Sequence, residues 1–139
     1  MTFAKWTFRI AGLWGLLIIL PLYFMEAQMG RDYPPAITHP EFYYGFLGVT
    51  LAWQVLFLLL SRDPRRYRPL MIAAVLEKVH YLPAVLWLYS QGRVAALQIG
   101  MGTIDIVFGA LFVAAYILLG REAQTEPATR RDPLPRPLP

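Results

Sequence analysis

Four apolar runs, Phe8 to Met25, Phe42 to Leu60, Pro69 to Tyr89 and Val94 to Leu119, leave this chain few ways to fold. Each is close to the ~20 residues with which a helix crosses ~30 Å of hydrocarbon at ~1.5 Å per residue. Composition agrees, with 57% of residues hydrophobic and 16% charged, where a soluble domain carries about 25% charged residues. The expected fold class is all-α: an integral membrane four-helix antiparallel bundle over residues 1–120, with a polar, proline-rich tail over 121–139. The spans fall at about 8–28, 41–61, 69–90 and 94–119. Lys5 and Arg9 ahead of the first run also fit a signal peptide. That run is longer than the usual ~7–15 residues and no small-x-small cleavage site follows it, so it reads as a retained helix.

Orientation follows from the basic residues, which gather on the cytoplasmic side of membrane proteins. With the N-terminus inside, that side holds Lys5, Arg9, Arg62, Arg65, Arg66, Arg68, Arg121, Arg130, Arg131 and Arg136, whereas Arg31 and Arg93 alone lie outside. Both termini and the "SRDPRRYRP" loop are therefore expected in the cytoplasm, in a multi-pass protein of a plasma or bacterial-type inner membrane. The net charge of +4 is then mostly a topology signal; contact with anionic membrane lipids is expected, and nucleic acid is not. Trp6, Tyr33, Tyr43, Tyr44, Tyr67, Trp87 and Tyr89 lie near span ends as an interfacial belt. In the first outer loop, "QMGRDYPPAITHPE", Pro34-Pro35 enforces extension, and Thr38 with Glu41 has the spacing of a capping box. The tail, ending "DPLPRPLP", cannot bury a core and reads as an extended segment or a docking strand.

Polar residues within the spans carry the functional question. In "VLEKVHYLPAV", Glu77 and Lys78 lie about 12–14 Å along the third span, and Asp105 lies about 16 Å along the fourth, a similar depth in an antiparallel neighbour. Gln54 occupies the middle of the second span. Ionisable groups at that depth are expensive and face partners inside the bundle. A Lys78–Asp105 ion pair is the expected structural contact, with Gln54 joined to it, and Gly102 and Gly109 beside Asp105 allow close helix approach. Glu77 and His80, three apart, share a face about 100° from Lys78. One lysine is not expected to serve both carboxylates, which leaves Glu77 and His80 for function. Pro83 frees the carbonyl of Val79 beside His80. Glu26, at the outer end of the first span, closes the same cavity from above.

Glu77-x-x-His80 has the carboxylate–histidine spacing of di-iron bundles. The second copy and further carboxylates such sites need are absent, and His39 is interfacial, so no metal or other cofactor is expected. With no cysteine there is no thiolate site, and no phosphate loop or nucleophile triad can be assembled.

"FMEAQ" closing the first span, "HPEFYYGFLGVTLAWQVLF" with Gln54, and "VHYLPAV" with His80 and Pro83 together resemble the EXPERA group of four-span proteins, which includes the sigma-2 receptor and the emopamil-binding sterol isomerase. The resemblance covers the first three spans. It implies a lipid-accessible pocket for sterol-like or amine-bearing ligands, lined by Glu26, Gln54 and His80. Thr50 stands where that group tends to have a second-span acid, which puts isomerase chemistry in doubt.

Three functions are compatible with these features. The first is non-catalytic binding of a lipid-like or hydrophobic amine ligand among Glu26, Gln54, Glu77, His80 and Asp105. The second is an accessory or scaffold subunit of a larger respiratory, photosynthetic or transport complex, or a homo-oligomer, docked through the "GMGTIDIVFGA" face. The third is an EXPERA-like isomerase with Glu77 and His80 as the acid–base pair, which requires both within ~3 Å of one substrate position.

Overall fold

A computed structural model describes residues 2–125. The tail from residue 126 onward, with Arg130, Arg131 and Arg136, lies outside the described residues, and so does the docking role expected for it.

All regular structure among the described residues is helical: α1 (Thr2–Leu22), α2 (Glu26–Asp32), α3 (Pro40–Arg62), α4 (Leu70–Val79), α5 (Tyr81–Ser90) and α6 (Ala96–Thr125). Four helical stretches are long and apolar enough to cross a membrane: α1, α3, the α4–α5 stretch Leu70–Ser90, and α6. The hydroxyls of Ser61, Ser90 and Thr103 each donate to a carbonyl of their own helix, at 2.7, 2.7 and 2.9 Å. Such back-bonding satisfies the hydroxyl locally without a partner from another helix.

The element boundaries differ from expectation at three prolines. Pro21 offers no N–H to the preceding turn, and α1 closes through short bonds: Tyr23 N–H to Leu20 O, Phe24 to Pro21 O and Met25 to Leu22 O, at 3.3, 3.0 and 3.1 Å. The first span thus stops at Leu22 rather than continuing to about 28, and Glu26 opens the separate helix α2. Pro40 takes the first position of α3, so His39 is the N-cap and no Thr38 capping box forms. A proline at N1 has its dihedral preset and no amide to satisfy, which outweighs a threonine one residue earlier. Glu41 instead accepts from His39 Nδ1 at 3.0 Å. Pro83 interrupts the third span, where α4 gives way to α5 at His80 with the backbone still right-handed helical (φ −80°, ψ −29°). At its far end α5 stops in a Schellman motif: Gly92, at φ +68°, bonds to Tyr89 O at 2.9 Å, and Arg93 N–H reaches Leu88 O at 3.0 Å.

Packing joins two helix pairs. α1 lies along α3, α4 and α5 lie along α6, and contacts of α1 with α6 and of α3 with α4 tie the pairs together. Glycines set the α1–α3 approach. A Cβ on Gly12 would come within 2.9 Å of Leu58 Cγ and 3.0 Å of the Gln54 carbonyl oxygen, and one on Gly15 would collide with the Gln54 carboxamide. The shared core is aromatic: Phe8 stacks on Phe112 with centroids 4.3 Å apart, and Phe57 meets Phe112 edge-on at 5.1 Å. Ala4, Ala11, Leu60, Met71, Ala74, Ala115 and Leu119 complete that cluster. It draws on the N-terminal half of α1, the C-terminal halves of α3 and α6, and α4, while α5 adds nothing to it. The four-helix core therefore occupies one half of the bundle. The turn after α3 is fastened to that half, as Arg68 Nε donates to Tyr116 O at 3.0 Å with its guanidinium 3.9 Å over the Tyr116 ring. Arg65 lies 3.4 Å from Glu122 at the same end.

Candidate functional site

At the edge of this core, α4 turns Lys78 inward, with only 10% of its side chain exposed. Gly109 makes room for it, since a Cβ there would already lie 3.4 Å from Lys78 Cβ. The ammonium donates to Asp105 Oδ1 at 2.8 Å and lies 3.2 Å from Glu77 Oε2. It also sits 5.4 Å from the centroid of the Phe57 ring, in cation–π range. One lysine thus serves both carboxylates, which overturns the expectation that Glu77 would be left over. The reason is stem length. The backbone directions of residues 77 and 78 diverge by about 100°, but a four-carbon side chain can carry its head back to a neighbour.

The two contacts are unequal. Asp105 receives a short, charge-assisted bond, whereas Glu77 Oε1 is 3.4 Å away and Glu77 Oε2, though close, has no aligned hydrogen-bond donor. Exposure differs too, at 18% for the Glu77 side chain and 28% for Asp105. Asp105 is the most reachable member of the cluster, Glu77 buries its Oε2, and the ammonium is the most covered. With both carboxylates ionised, two negative charges share one positive charge.

The remaining sequence-predicted residues are not gathered here. Gln54 is 2% exposed, but its Nε2 donates to Thr50 O at 3.1 Å and its Oε1 is buried without a partner among the described residues. It faces Gly15 on α1 rather than the ion cluster, so no Gln54 bond to the Lys78–Asp105 pair forms. His80 is exposed, and its Nδ1 is engaged with the Leu76 carbonyl of its own helix. Glu26 accepts from Tyr44 at 2.9 Å, near the opposite end of α3 from Phe57. His39 lies with Glu41 on the exposed loop end of α3. Two of the three "GMGTIDIVFGA" glycines are used within the chain, Gly102 against Leu82 and Gly109 against Lys78 and Val79, which leaves Gly100 alone for the outer docking stripe expected of that face.

Two grooves on the bundle are lined by other residues. One of about 270 Å³ runs between α1 and α6 past Phe3, Ala4, Ala115, Leu119 and Arg121, and one of about 180 Å³ lies by Met71, Val75 and Tyr116. Among the described residues, no three His, Asp or Glu side chains are grouped to hold a metal ion.

Comparison with known proteins adds no assignment. No family model matches the chain, and no curated protein or solved structure is significantly similar to it. The geometry must therefore carry the functional reading.

Proposed function

We propose that this chain is a multi-pass membrane protein that binds the polar head of an amine-bearing or lipid-like ligand, without chemistry, at the Glu77–Lys78–Asp105 cluster. One observation carries the reading. Two carboxylates share a single ammonium, and a net charge at membrane depth is expensive unless a further cation or a proton neutralises it. A ligand ammonium meets that need, and Asp105, the more exposed of the two carboxylates, is the group it reaches first. An apolar ligand body would lie along the helices in lipid.

In this reading the bundle is antiparallel and both termini face the cytoplasm with the 63–69 turn. The arginine distribution supports that orientation. The contacts that join Arg65 to Glu122 and bring Phe3 and Ala4 to the groove that Arg121 lines support the antiparallel arrangement, with these segments at one end.

Native mass spectrometry on protein extracted gently from its own membrane tests the proposal. Wild type should retain a stoichiometric amine-bearing molecule that Glu77→Gln and Asp105→Asn both lose. Retention by both variants would overturn it. A second reading, an accessory subunit of a larger complex, is favoured by Gly45 and Gly100, where an added Cβ would meet nothing within 4 Å and a neighbouring helix could approach. A fixed assembly insensitive to both substitutions would select it. EXPERA-like isomerisation has less behind it, because His80 turns to the Leu76 carbonyl and Glu77 turns to Lys78.

A further inference from the structure

Far from the ion cluster, three tyrosines gather around one acid. Tyr43 and Tyr44 meet edge-to-face with centroids 5.3 Å apart and planes at 82°, and Tyr23 lies 6.0 Å from Tyr44. Tyr44 donates to Glu26 Oε2 at 2.9 Å, and Tyr43 donates to Leu22 O at 2.7 Å. These bonds tie the first turns of α3 to the end of α1 and the start of α2. They also occupy two hydroxyls, so Tyr43 and Tyr44 offer ring faces to a visitor more than polar groups. Glu26 has no Lys or Arg within ion-pair distance among the described residues.

We propose that Tyr23, Tyr43, Tyr44 and Glu26 form an interfacial site for an alkylated ammonium group. The face of an aromatic ring attracts a cation within ~6 Å of its centroid, and clustered rings recognise quaternary ammonium groups; here Tyr43 and Tyr44 stand at 82° and Tyr23 is tilted 40° from Tyr44, with the Glu26 carboxylate beside them. The ring pairs are too close for a cation to lie between them. It sits on their open side, against the carboxylate, where Tyr44 is 38% exposed. A metal ion is a poor fit, since a single carboxylate and phenol rings offer too few oxygen ligands. Tyr44 and Phe57 are separated by about 20 Å of helix, so this site is distinct from the one under Lys78.

The same headgroup chemistry can come from a choline phospholipid or from a free quaternary amine. Protein in discs of pure phosphatidylglycerol, which lacks ammonium, is titrated with tetramethylammonium, and saturation transfer to its methyl protons is read by NMR. Transfer is expected for wild type and, with the ring kept, for Tyr44→Phe within about 3-fold. Tyr44→Leu and Glu26→Gln should each weaken binding by about 5-fold or more. Adding phosphatidylcholine to the discs then separates the sources: competition identifies a lipid headgroup as the occupant, and no competition identifies a free amine. Wild-type transfer that survives both Tyr44→Leu and Glu26→Gln, or no transfer to a wild type of native helicity, overturns the proposal. Loss in Glu77→Gln alone would assign the cation to the ion cluster instead.

Discussion

Replacing Lys78 by Met tests whether one ammonium holds the centre of this bundle together. Met fills nearly the same space, so packing against Gly109 and Phe57 changes little and the effect is electrostatic. Breaking a buried pair by removing one partner costs ~3–5 kcal/mol, because the other charge is left without compensation. Two facts pull the figure down. Asp105 keeps 28% of its side-chain exposure, and polar contacts in membrane proteins average about 0.6 kcal/mol, with maxima near 1.7. Lys78, however, makes two such contacts plus the Phe57 ring, and its loss leaves like charges side by side. The expected loss is therefore about 2–4 kcal/mol. Asp105→Asn should cost less than Lys78→Met, since Glu77 still holds the ammonium. Glu77→Gln should cost least, given its longer contact. Reversible unfolding in mixed detergent, read by helicity and by tryptophan fluorescence, to which Trp53 beside Phe57 contributes, measures all three. A Lys78→Met variant as stable as wild type would refute the reasoning, and so would Glu77→Gln costing more than Asp105→Asn.

Four further outcomes can be measured, the first three with the same preparation. Gly12→Ala should destabilise by about 1–3 kcal/mol, the range for overpacking, because its methyl would press on Leu58 and on backbone at Gln54. Gly45→Ala, with open space around it, should be neutral or stabilising by up to about 1 kcal/mol, and the same unfolding assay compares the pair. Phe112→Ala, which removes the ring shared by Phe8 and Phe57, should cost about 3–5 kcal/mol, read as a lower unfolding midpoint. The natural absence of cysteine makes topology directly testable: in sealed cells an impermeant maleimide should label Gln91→Cys and spare Arg66→Cys, and the reverse would invert the proposed orientation.

The helices were legible because they rest on local physics. Apolar runs of spanning length needed no tertiary information, and the four stretches found in the structure fall on them. Their ends were less legible where two local signals competed. Thr38 and Pro40 both mark a helix start, and only the preset dihedral of proline decides between them. Pro21 sits near the end of an apolar run that continues to Met25, so hydropathy overran the turn at Tyr23. Contacts between helices depend on rotation about each axis, which a single sequence does not encode. Nothing in the spacing shows that Phe57 lies under Lys78, that Gln54 turns to Gly15, or that Arg68 reaches Tyr116.

The ion cluster shows why a face-based reading failed where a depth-based one succeeded. Depth depends on rise per residue, which is the same for every residue type, so Lys78 and Asp105 could be matched across two helices before any contact was known. Face is fixed only for Cβ. A short side chain such as Asp105 acts close to where its backbone points, whereas Lys78 carries its charge about 6 Å from its own Cα on a flexible stem. The carboxylate at 77 is therefore served by its chain neighbour although their Cβ directions diverge, and His80, counted with Glu77 by face, is left outside. What the two helices bring together at this depth is therefore a lysine shared by two acids, and not the paired carboxyl and imidazole that face alone suggested.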